Sequence, residues 1–327
     1  MTAPLSAFRL AQPGTVEEAI AARLAHPGSR FIAGGTDLLV NMRRGIHNPD
    51  LLVDLSGIDE LTEINTAGPG VTIGAGVTIA AVARNPIIAT RYRALAQAAA
   101  AIAGPGHRAM GTVGGNLCLD TRCIYYNQSE WWRNANAYCL KNRGDTCHVA
   151  PQGKRCHAAY TGDLAPALLA LGAEIDIAGA QGHRRIALGE LYVEDGRAHL
   201  TLAEGELIVA IHLPSDAPAS AYAKVRLRGA IDYPLAGVAV ALAASGTKIG
   251  SLRIALTGTN SRPFLVTGTE SFAGRSVDDK LLAEIDRLVQ KQVQPMRTTI
   301  ASANYRRVAA AAQARRLTAS LFAEGTA

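Results

Sequence analysis

The sequence predicts an α+β fold with more than one core, and three features of the chain support this prediction. Segments with strand-like and helix-like patterns alternate irregularly around two glycine-rich stretches, at 33–37 and 112–116. In the last third of the chain, strand-like segments precede two long helical ones, an order typical of α+β domains. All five cysteines lie between Cys118 and Cys156. We therefore expect two main domains and a chemically specialised segment inside the first.

Composition sets outer limits on the function. The chain has 327 residues, enough for two or three domains, and its 48% hydrophobic and 18% charged residues are ordinary for a globular protein. No apolar run approaches the roughly 18 residues that a membrane helix needs, and the first residues lack a hydrophobic signal segment. We therefore expect a cytoplasmic protein. The net charge of +6 comes from scattered basic residues, so composition does not favour nucleic-acid binding.

The elements of the first half follow from local patterns. Thr15 and Glu18 form a capping box that opens a helix reaching about Ala25. Apolar runs then predict short buried strands, and Gly68-Pro69-Gly70 predicts the turn of a hairpin. An alanine-rich helix ends at Gly104-Pro105-Gly106. The predicted elements are strands at 31–32 and 51–55, a helix at 38–44, hairpin strands at 62–65 and 71–75, and a helix at 91–103.

The elements after the cysteines divide into two groups. A helix capped by Asp163 and two strands complete the first domain, and the sequence 215–220 indicates a linker. We place the boundary there, which gives domains at 1–214 and 215–327. The second domain should hold three strands and then two helices, the first capped by Ser276. The predicted elements are a helix at 163–171, strands at 174–177, 207–213, 223–228, 236–242 and 252–257, and helices at 278–293 and 303–322.

The two glycine stretches are candidates for binding an anion. Ala33-Gly34-Gly35-Thr36-Asp37 and Thr112-Val113-Gly114-Gly115-Asn116 can each turn backbone N–H groups outward, because glycine tolerates positive φ and lets a phosphate approach closely. Together they could grip a pyrophosphate from both sides, although either one alone is more simply a tight turn. A Rossmann site is not expected, because Ile79 stands where the third glycine after Gly74-Ala75-Gly76 would be required.

Four motifs in a fixed order carry a resemblance to a known family. They are the two glycine stretches, then Gly162-Asp163-Leu164-Ala165-Pro166-Ala167-Leu168, then Tyr222-Ala223-Lys224-Val225-Arg226. With these motifs the chain resembles the FAD-binding subunits of the xanthine oxidase family of molybdenum hydroxylases, from about Phe8 to the last helix. The resemblance implies a two-subdomain FAD-binding fold of the PCMH type with an inserted iron–sulfur loop, followed by an α+β C-terminal domain.

The resemblance also implies which residues bind FAD. The glycine stretches would hold the pyrophosphate, Asp163 the ribityl or ribose hydroxyls, and Lys224 would lie near the flavin. The alternative is a purely structural role, in which Asp163 is only a helix cap and Lys224 only a surface charge. The implied FAD residues are Phe31, Ile32, Ala33, Gly34, Gly35, Thr36, Asp37, Leu38, Ile102, Thr112, Val113, Gly114, Gly115, Asn116, Asp163 and Lys224.

The cysteine segment, about 119–160, consists of residues that most members of that family would lack. Zinc sites favour close C-x2-C pairs, which this sequence does not have, so zinc is the second choice. Disulfides are rare in the cytoplasm and fit poorly with an odd number of cysteines. Four thiolates suit a [4Fe–4S] cluster, and Cys118 is expected to be a small buried hydrophobe. The predicted ligands, with spacing C-x15-C-x7-C-x8-C, are Cys123, Cys139, Cys147 and Cys156.

This segment resembles the insertion of one branch of the family, the 4-hydroxybenzoyl-CoA reductases. The match runs from Asp120-Thr121-Arg122-Cys123 through Asn127-Gln128-Ser129-Glu130-Trp131-Trp132 to Cys156. It implies an enzyme of anaerobic aromatic degradation that removes the phenolic hydroxyl of 4-hydroxybenzoyl-CoA to give benzoyl-CoA. The molybdenum cofactor and the [2Fe–2S] clusters would sit on separate subunits of a dimer of heterotrimers. This chain would then relay electrons and hold no catalytic residue.

Electrons would come from reduced ferredoxin that docks at the cysteine segment. Six basic residues lie there against Glu130 and Asp145, and an acidic protein could be steered to such a patch. Two alternatives remain open: another hydroxylase of the same family that passes electrons outward, and a zinc-stabilised interaction or nucleic-acid module. The six basic residues are Arg122, Arg133, Lys141, Arg143, Lys154 and Arg155.

Overall fold

Three β-sheets with helices packed on them make up the structure. The computed structural model describes residues 5–296 and 301–326. Its helices are α1 (Val16–Ala25), α2 (Leu38–Arg43), α3 (Ile79–Arg84), α4 (Pro86–Arg91), α5 (Arg93–Ala101), α6 (Pro105–Met110), α7 (Val113–Leu117), α8 (Glu130–Ala135), α9 (Leu164–Leu171), α10 (Asp279–Gln292) and α11 (Ala303–Thr326). Its strands are β1 (Arg9–Ala11), β2 (Arg30–Ile32), β3 (Leu51–Asp54), β4 (Ile64–Asn65), β5 (Val71–Gly74), β6 (Glu174–Gly179), β7 (Gly182–Ala187), β8 (Leu207–Leu213), β9 (Ala219–Val225), β10 (Ala236–Ser245), β11 (Lys248–Thr257) and β12 (Phe264–Leu265).

The N-terminal sheet is small and parallel, with the order β1-β3-β2. Helix α1 covers it and buries Val16 and Ala19 against Leu51 and Val53. The predicted cap is confirmed, because the Thr15 hydroxyl accepts a hydrogen bond from the Glu18 N–H at 3.2 Å. This sheet ends at the first glycine stretch, so its packing fixes where that stretch lies.

The second sheet is antiparallel, with the order β4-β5-β8-β6-β7, and it joins parts of the chain on either side of the cysteines. The predicted hairpin forms between β4 and β5, and β5 pairs with β8 from Val71–Leu213 to Gly74–Ala210. Helix α9 is buried on all sides against this sheet and its helices. The cysteine segment is therefore an excursion from a domain whose core closes behind it.

The C-terminal sheet has the order β12-β11-β10-β9. Helices α10 and α11 pack on one face, where Leu281 and Ile285 contact the cluster that holds Val240 and Ile254. On the other face, alanines of β10 and β11 belong to the same core as α5 and α9. The two domains thus share an apolar interface, and the site between them rests on a continuous core.

Several predicted boundaries were wrong for identifiable reasons. The helix expected at 91–103 is broken at Tyr92, and Pro105 opens α6 because proline suits the first turn of a helix. Helix α10 is capped by Asp278, whose carboxylate accepts a hydrogen bond from the Leu281 N–H at 2.7 Å, and not by Ser276. Within the stretch expected to be a linker, β9 already begins at Ala219. Strand β7 was not predicted.

The cysteine segment has little regular structure beyond the short helix α8. A pair of backbone hydrogen bonds between Arg122 and Ala159, both 2.7 Å long, closes its base. Farther out, the Ser129 hydroxyl caps α8 by accepting from the Trp132 N–H. The described residues contain no helix that is long and apolar enough to cross a membrane.

Candidate flavin cleft and cysteine segment

A cleft of about 700 Å³ lies where the two domains meet, and its volume is within the range of small-molecule sites. The turn after β2, the start of α7 and the residues before β8 form its walls. A loop of the C-terminal domain, Ile231 to Tyr233, contributes one edge. Cys118 and the start of the cysteine segment, with Leu119, Asp120 and Arg122, contribute another.

The first glycine stretch presents its backbone to this cleft. The N–H groups of Gly34, Gly35, Thr36 and Asp37 donate to no acceptor in the part of the chain that the structure describes. Gly35 has a φ of +66°, and a Cβ on Gly34 would overlap the carbonyl oxygen of Met110. Free N–H groups on a turn that has no room for side chains are suited to holding a phosphate.

The second glycine stretch differs from the prediction. It is not a loop: Thr112 caps α7, and the Gly115 N–H donates to the Thr112 hydroxyl at 3.1 Å. The Gly114 N–H donates to the Ala75 carbonyl at 2.8 Å, so these two donors are consumed within the protein. A Cβ on Gly114 would lie 2.9 Å from the Cβ of Ala75. Here glycine permits close packing of α7 against the chain at Ala75.

Asp163 and Lys224 form a buried ion pair across the domain boundary. The Lys224 ammonium donates to one Asp163 carboxylate oxygen at 3.0 Å, and the Tyr222 hydroxyl donates to the other at 2.5 Å. Burial raises the pKa of Asp163, against the opposing effect of these two donors. The structural alternatives for these two residues were wrong. The Lys224 side chain is buried and not on the surface. The N–H of Leu164, the first residue of α9, donates to the Asn116 side chain at 3.1 Å, and Asp163 makes no capping bond.

Of the residues implied for FAD, all but two line the cleft. Val113 is buried in the core beneath it, and Lys224 reaches it only through Asp163. Residues that the sequence did not suggest also line it, including Thr161 and Tyr233. Thr161 directly precedes the Gly162-Asp163 motif, so its position was available as a signal. No signal in the sequence pointed to Tyr233, because a loop of the C-terminal domain brings it to the cleft.

Unpaired polar atoms in the cleft walls indicate where a ligand fits. The Thr161 hydroxyl and the Arg122 Nε are buried and have no hydrogen-bond partner among the described residues. Buried polar groups are nearly always paired in folded proteins, so such atoms mark positions for ligand atoms. Together with the free N–H groups of the first turn and the apolar side chains of Ile79 and Ile102, they fit a dinucleotide such as FAD.

Comparisons with known proteins decide the family. Residues 6–216 match the FAD binding domain in molybdopterin dehydrogenase, and residues 220–321 match the CO dehydrogenase flavoprotein C-terminal domain. The chain belongs to the FAD-binding subunits of the xanthine oxidase family. The predicted PCMH-type FAD-binding domain and C-terminal domain are confirmed. Because these two matches cover both domains, the alternative of a zinc-stabilised module was wrong.

Relatives of this FAD-binding subunit serve several oxidoreductases. The chain is 32% identical to the aldehyde oxidoreductase FAD-binding subunit of Escherichia coli K12, over 85% of the chain and 91% of that protein. It is 27% identical to the carbon monoxide dehydrogenase medium chain of Afipia carboxidovorans, over 88% and 87%. A solved structure of reconstituted CO dehydrogenase from Oligotropha carboxidovorans has a TM-score of 0.80 and 25% identity, with 98% of this chain and 99% of that chain covered.

The four predicted cluster cysteines lie near one another in the FAD-binding subunit. All are free, and Cys139, Cys147 and Cys156 are buried while Cys123 is half-buried. Burial raises the pKa of Cys123, and the neighbouring sulfurs of Cys139 and Cys147 add to this effect. Among residues 5–296 and 301–326, no group of three or more histidine, cysteine, aspartate or glutamate side chains is arranged to hold a metal ion.

Backbone N–H groups donate to two of these sulfurs, those of Cys156 and Cys123. The Ala158 N–H donates to the Cys156 sulfur at 3.4 Å, and the N–H groups of Tyr125 and Tyr126 donate to Cys123. The Asn127 side-chain oxygen accepts from the Cys123 N–H at 3.0 Å, while its amide nitrogen is buried with no partner in the described ranges. Donors to sulfur are one of the means by which proteins tune such clusters.

Cys118 lies apart from the other four cysteines. It is half-buried at the edge of the cleft rather than fully buried, and it packs against the main core. Burial raises the pKa of its thiol to about 12, so the thiol is neutral at physiological pH. The prediction of a small apolar side chain is consistent with this position.

Of the six basic residues of the expected patch, only Arg143 and Lys154 are exposed. Arg133 and Lys141 are buried, and each pairs with a carboxylate, Glu130 and Asp120 respectively. Arg122 turns into the cleft and pairs with Asp37, and Arg155 pairs with Glu194 at 3.3 Å. Arg143 stacks on the half-buried ring of Tyr138, and the side chain of Trp131 is 78% exposed. Counting basic residues in the sequence overestimated the patch, because a count cannot show which of the cations are buried or paired.

Proposed function

We propose that this chain is the electron-transfer subunit of a molybdenum-containing 4-hydroxybenzoyl-CoA reductase. It would hold FAD and a [4Fe–4S] cluster, accept electrons from reduced ferredoxin, and pass them to partner subunits that carry [2Fe–2S] clusters and the molybdenum cofactor. Membership of the FAD-binding subunits of the xanthine oxidase family is shown, and the rest is the proposal. The proposed FAD residues are those implied by the motifs, and the proposed cluster ligands are Cys123, Cys139, Cys147 and Cys156.

The observation that carries the proposal is the joint position of the cysteine segment and the cleft. Arg122 lines the cleft and reaches Asp37 of the first glycine turn, and the next residue in the chain is Cys123. Consecutive Cα atoms are about 3.8 Å apart, so a group held by Cys123 would begin next to the cleft wall. The segment that carries the four free thiols therefore begins at the wall of the cleft.

The chain's own residues bind and orient the cofactors. FAD, when bound, supplies a flavin that accepts and releases electrons. The first glycine turn would donate its N–H groups to the phosphates, and the Asp163 carboxylate retains lone pairs that can accept from FAD hydroxyls. Lys224 and Tyr222 hold that carboxylate in place from the C-terminal domain. The N–H donors at Cys123 and Cys156 would stabilise negative charge on the cluster sulfurs.

A second candidate is another hydroxylase of the family, which would pass electrons outward. The observation that favours it is the 32% identity to an aldehyde oxidoreductase subunit. In that case the purified complex would oxidise an aldehyde or a heterocycle and would not dehydroxylate 4-hydroxybenzoyl-CoA.

Anaerobic purification of the complex that contains this chain tests the proposal. We expect FAD equimolar with the chain, a [4Fe–4S] signal in addition to those of [2Fe–2S] clusters, and formation of benzoyl-CoA with reduced ferredoxin. Cys139→Ser should abolish the [4Fe–4S] signal, and the matched Cys118→Ser variant should retain it. A complex with only [2Fe–2S] iron would refute the cluster, and a failure to form benzoyl-CoA would refute the substrate.

A further inference from the structure

The first glycine turn ends in an acidic residue, Asp37, which lines the cleft beside the N–H groups proposed to hold phosphate. Like charges a few ångströms apart repel each other, and most strongly where water is partly excluded. We propose that Arg122 neutralises Asp37 and so allows this turn to hold the FAD phosphates, and that Tyr233 of the C-terminal domain keeps Arg122 in place. The inference rests on the proposed position of FAD in the cleft. It assigns roles in FAD binding to two residues outside the family motifs.

Asp37 precedes helix α2 but does not cap it. Its backbone is helical, and its side chain accepts no hydrogen bond from the first N–H groups of the helix. Instead, one carboxylate oxygen pairs with the Arg122 guanidinium, and the other accepts from the Asn41 side-chain amide at 3.1 Å. Helix capping therefore does not account for an acidic residue at this turn, and both of its carboxylate oxygens are already bonded within the protein.

Arg122 reaches Asp37 from a fixed support. Two backbone hydrogen bonds with Ala159, each 2.7 Å long, hold its main chain at the base of the cysteine segment. Its Nη1 donates to the Asn41 side-chain oxygen at 3.3 Å, and only 14% of its side chain is exposed. Each of the three side chains of Arg122, Asp37 and Asn41 thus bonds to the other two. A guanidinium remains charged throughout the physiological pH range, so it is a permanent counter-charge.

The C-terminal domain holds the same guanidinium from its other side. The Arg122 Cζ lies 5.0 Å from the centroid of the Tyr233 ring, within the range of a cation–π contact. The loop that carries Tyr233 is anchored where the Ile231 N–H donates to the Ala103 carbonyl at 3.2 Å. Ile231 has a φ of +52°, which is unfavourable for a β-branched residue, so surrounding contacts must keep the loop in this position. The two domains therefore meet across the cleft at Arg122.

The other carboxylates of the cleft wall follow the same rule. Each of them lies at most 3.8 Å from a lysine or arginine nitrogen. Within the described ranges, Arg122 is the one cation that pairs with Asp37. A wall with many acidic side chains can hold an anionic cofactor only if their charges are compensated, and at the first glycine turn this depends on Arg122. The other five carboxylates are those of Asp120, Asp163, Glu204, Glu206 and Asp232.

Titration of FAD into the flavin-depleted complex, followed by quenching of flavin fluorescence, tests the inference. Arg122→Met leaves the Asp37 charge uncompensated and should raise the Kd for FAD about tenfold. Asp37→Asn removes the repelling charge and keeps the guanidinium, so it should bind FAD more tightly than the unaltered complex. In the double variant Arg122→Met/Asp37→Asn neither charge is present, and most of the affinity lost in Arg122→Met should return.

Arg143→Met is the matched control. Arg143 belongs to the same segment and makes the same two kinds of contact away from the cleft, because it pairs with Glu130 at 2.8 Å and lies 4.3 Å from the centroid of the Tyr138 ring. Its Kd for FAD should equal that of the unaltered complex. Tyr233→Ala, which removes only the stacked ring, should raise the Kd about two- to fivefold, as for other partly exposed cation–π contacts.

The outcomes separate this inference from the proposed function. If the unaltered complex binds no FAD, the proposed function fails and the inference fails with it. If it binds FAD and Arg122→Met has the same Kd as Arg143→Met, the proposed function stands and the role of Arg122 is refuted. A double variant that binds FAD as weakly as Arg122→Met would show that the pair acts through its shape, which also refutes neutralisation. Should Arg122→Met not fold, Asp37→Asn decides alone: tighter binding supports the inference and weaker binding refutes it.

Discussion

The two glycine stretches have nearly the same sequence pattern, yet they do opposite things in the structure. Gly34 and Gly35 lie in a turn whose N–H groups are free and face the cleft. Gly114 and Gly115 lie in a capped helix whose N–H groups are already used. In both places a side chain would collide with a neighbour, but among the described residues only the N–H groups of the first glycine pair lack an acceptor. A glycine pair therefore indicates that another group comes close to the backbone. The surrounding structure decides whether that group is a ligand or another part of the protein.

The largest expected effect on FAD binding is that of replacing Gly34. In Gly34→Ala the new methyl group would overlap the Met110 carbonyl oxygen, which belongs to the backbone and cannot move cheaply. We expect the turn to shift, and the purified variant to hold less than about a tenth of the normal FAD, a loss of about 1.4 kcal/mol or more in binding. Flavin absorbance per chain measures this. Gly106→Ala is the control, because a Cβ there has no neighbour within 4 Å; equal FAD in both variants would contradict the role of the turn.

The next effect is a loss of stability on replacing Asp120, which lies just after the second glycine stretch in the sequence. Burial would raise its pKa, but hydrogen bonds from His47 and Lys141 more than offset this, so its pKa lies below the ordinary value. Asp120→Asn leaves Lys141 buried without a counter-charge and should cost about 3 kcal/mol of unfolding free energy at pH 7.

The pH dependence of this difference has a definite sign. A lowered aspartate pKa stabilises the fold above the unfolded pKa of about 3.9, and the stabilisation is lost as the pH falls toward the folded value. Urea unfolding of both proteins at pH 7 and at lower pH should therefore show the gap narrowing on acidification. Asp50→Asn, which breaks an exposed 3.8 Å pair with Arg9, should change stability by less than about 1 kcal/mol. A gap that stays constant with pH would contradict the assignment.

A smaller effect is expected at Gly114. The methyl group of Gly114→Ala would lie 2.9 Å from the Cβ of Ala75. Overpacking of this kind costs about 1–3 kcal/mol, measured by urea unfolding with FAD absent. Ala75→Gly in the same chain should recover part of the loss, because it removes the atom that is contacted. Loss of FAD with no loss of stability would instead mean that this stretch binds the phosphate directly.

The smallest expected effect is that of replacing Asn116, the last residue of the second glycine stretch. Its side-chain oxygen accepts from the Leu164 N–H at 3.1 Å and so caps α9. Asn116→Ala should lower the unfolding free energy by about 1 kcal/mol, as for other lost helix caps. The FAD content should be nearly unchanged. A large loss of FAD at normal stability would show that Asn116 contacts the cofactor through its side chain.

Local signals in the sequence were reliable where the physics is local. Thr15 caps α1 as expected, and the hairpin around Gly68-Pro69-Gly70 forms, because capping and turn geometry depend on a few adjacent residues. Predictions that needed distant partners were less accurate. Ser276 and Asp278 are both plausible caps, and the structure shows that Asp278 makes the capping hydrogen bond. The helix expected at 91–103 breaks at Tyr92, whose hydroxyl donates to the Pro214 carbonyl, a contact from more than a hundred residues away.

The sequence by itself determined the family, most of the elements and the four cysteines that lie together in one excursion. Ordered motifs and residue types are properties of the chain, so they can be read before it folds. Only the tertiary structure decided which glycine stretch keeps its N–H groups free, that Asp163 pairs with Lys224 instead of capping a helix, and that Arg133 and Lys141 are buried. The physical reason is that hydrogen-bond partners and burial are set by residues far apart in the chain, which meet only after the two domains have packed on each other.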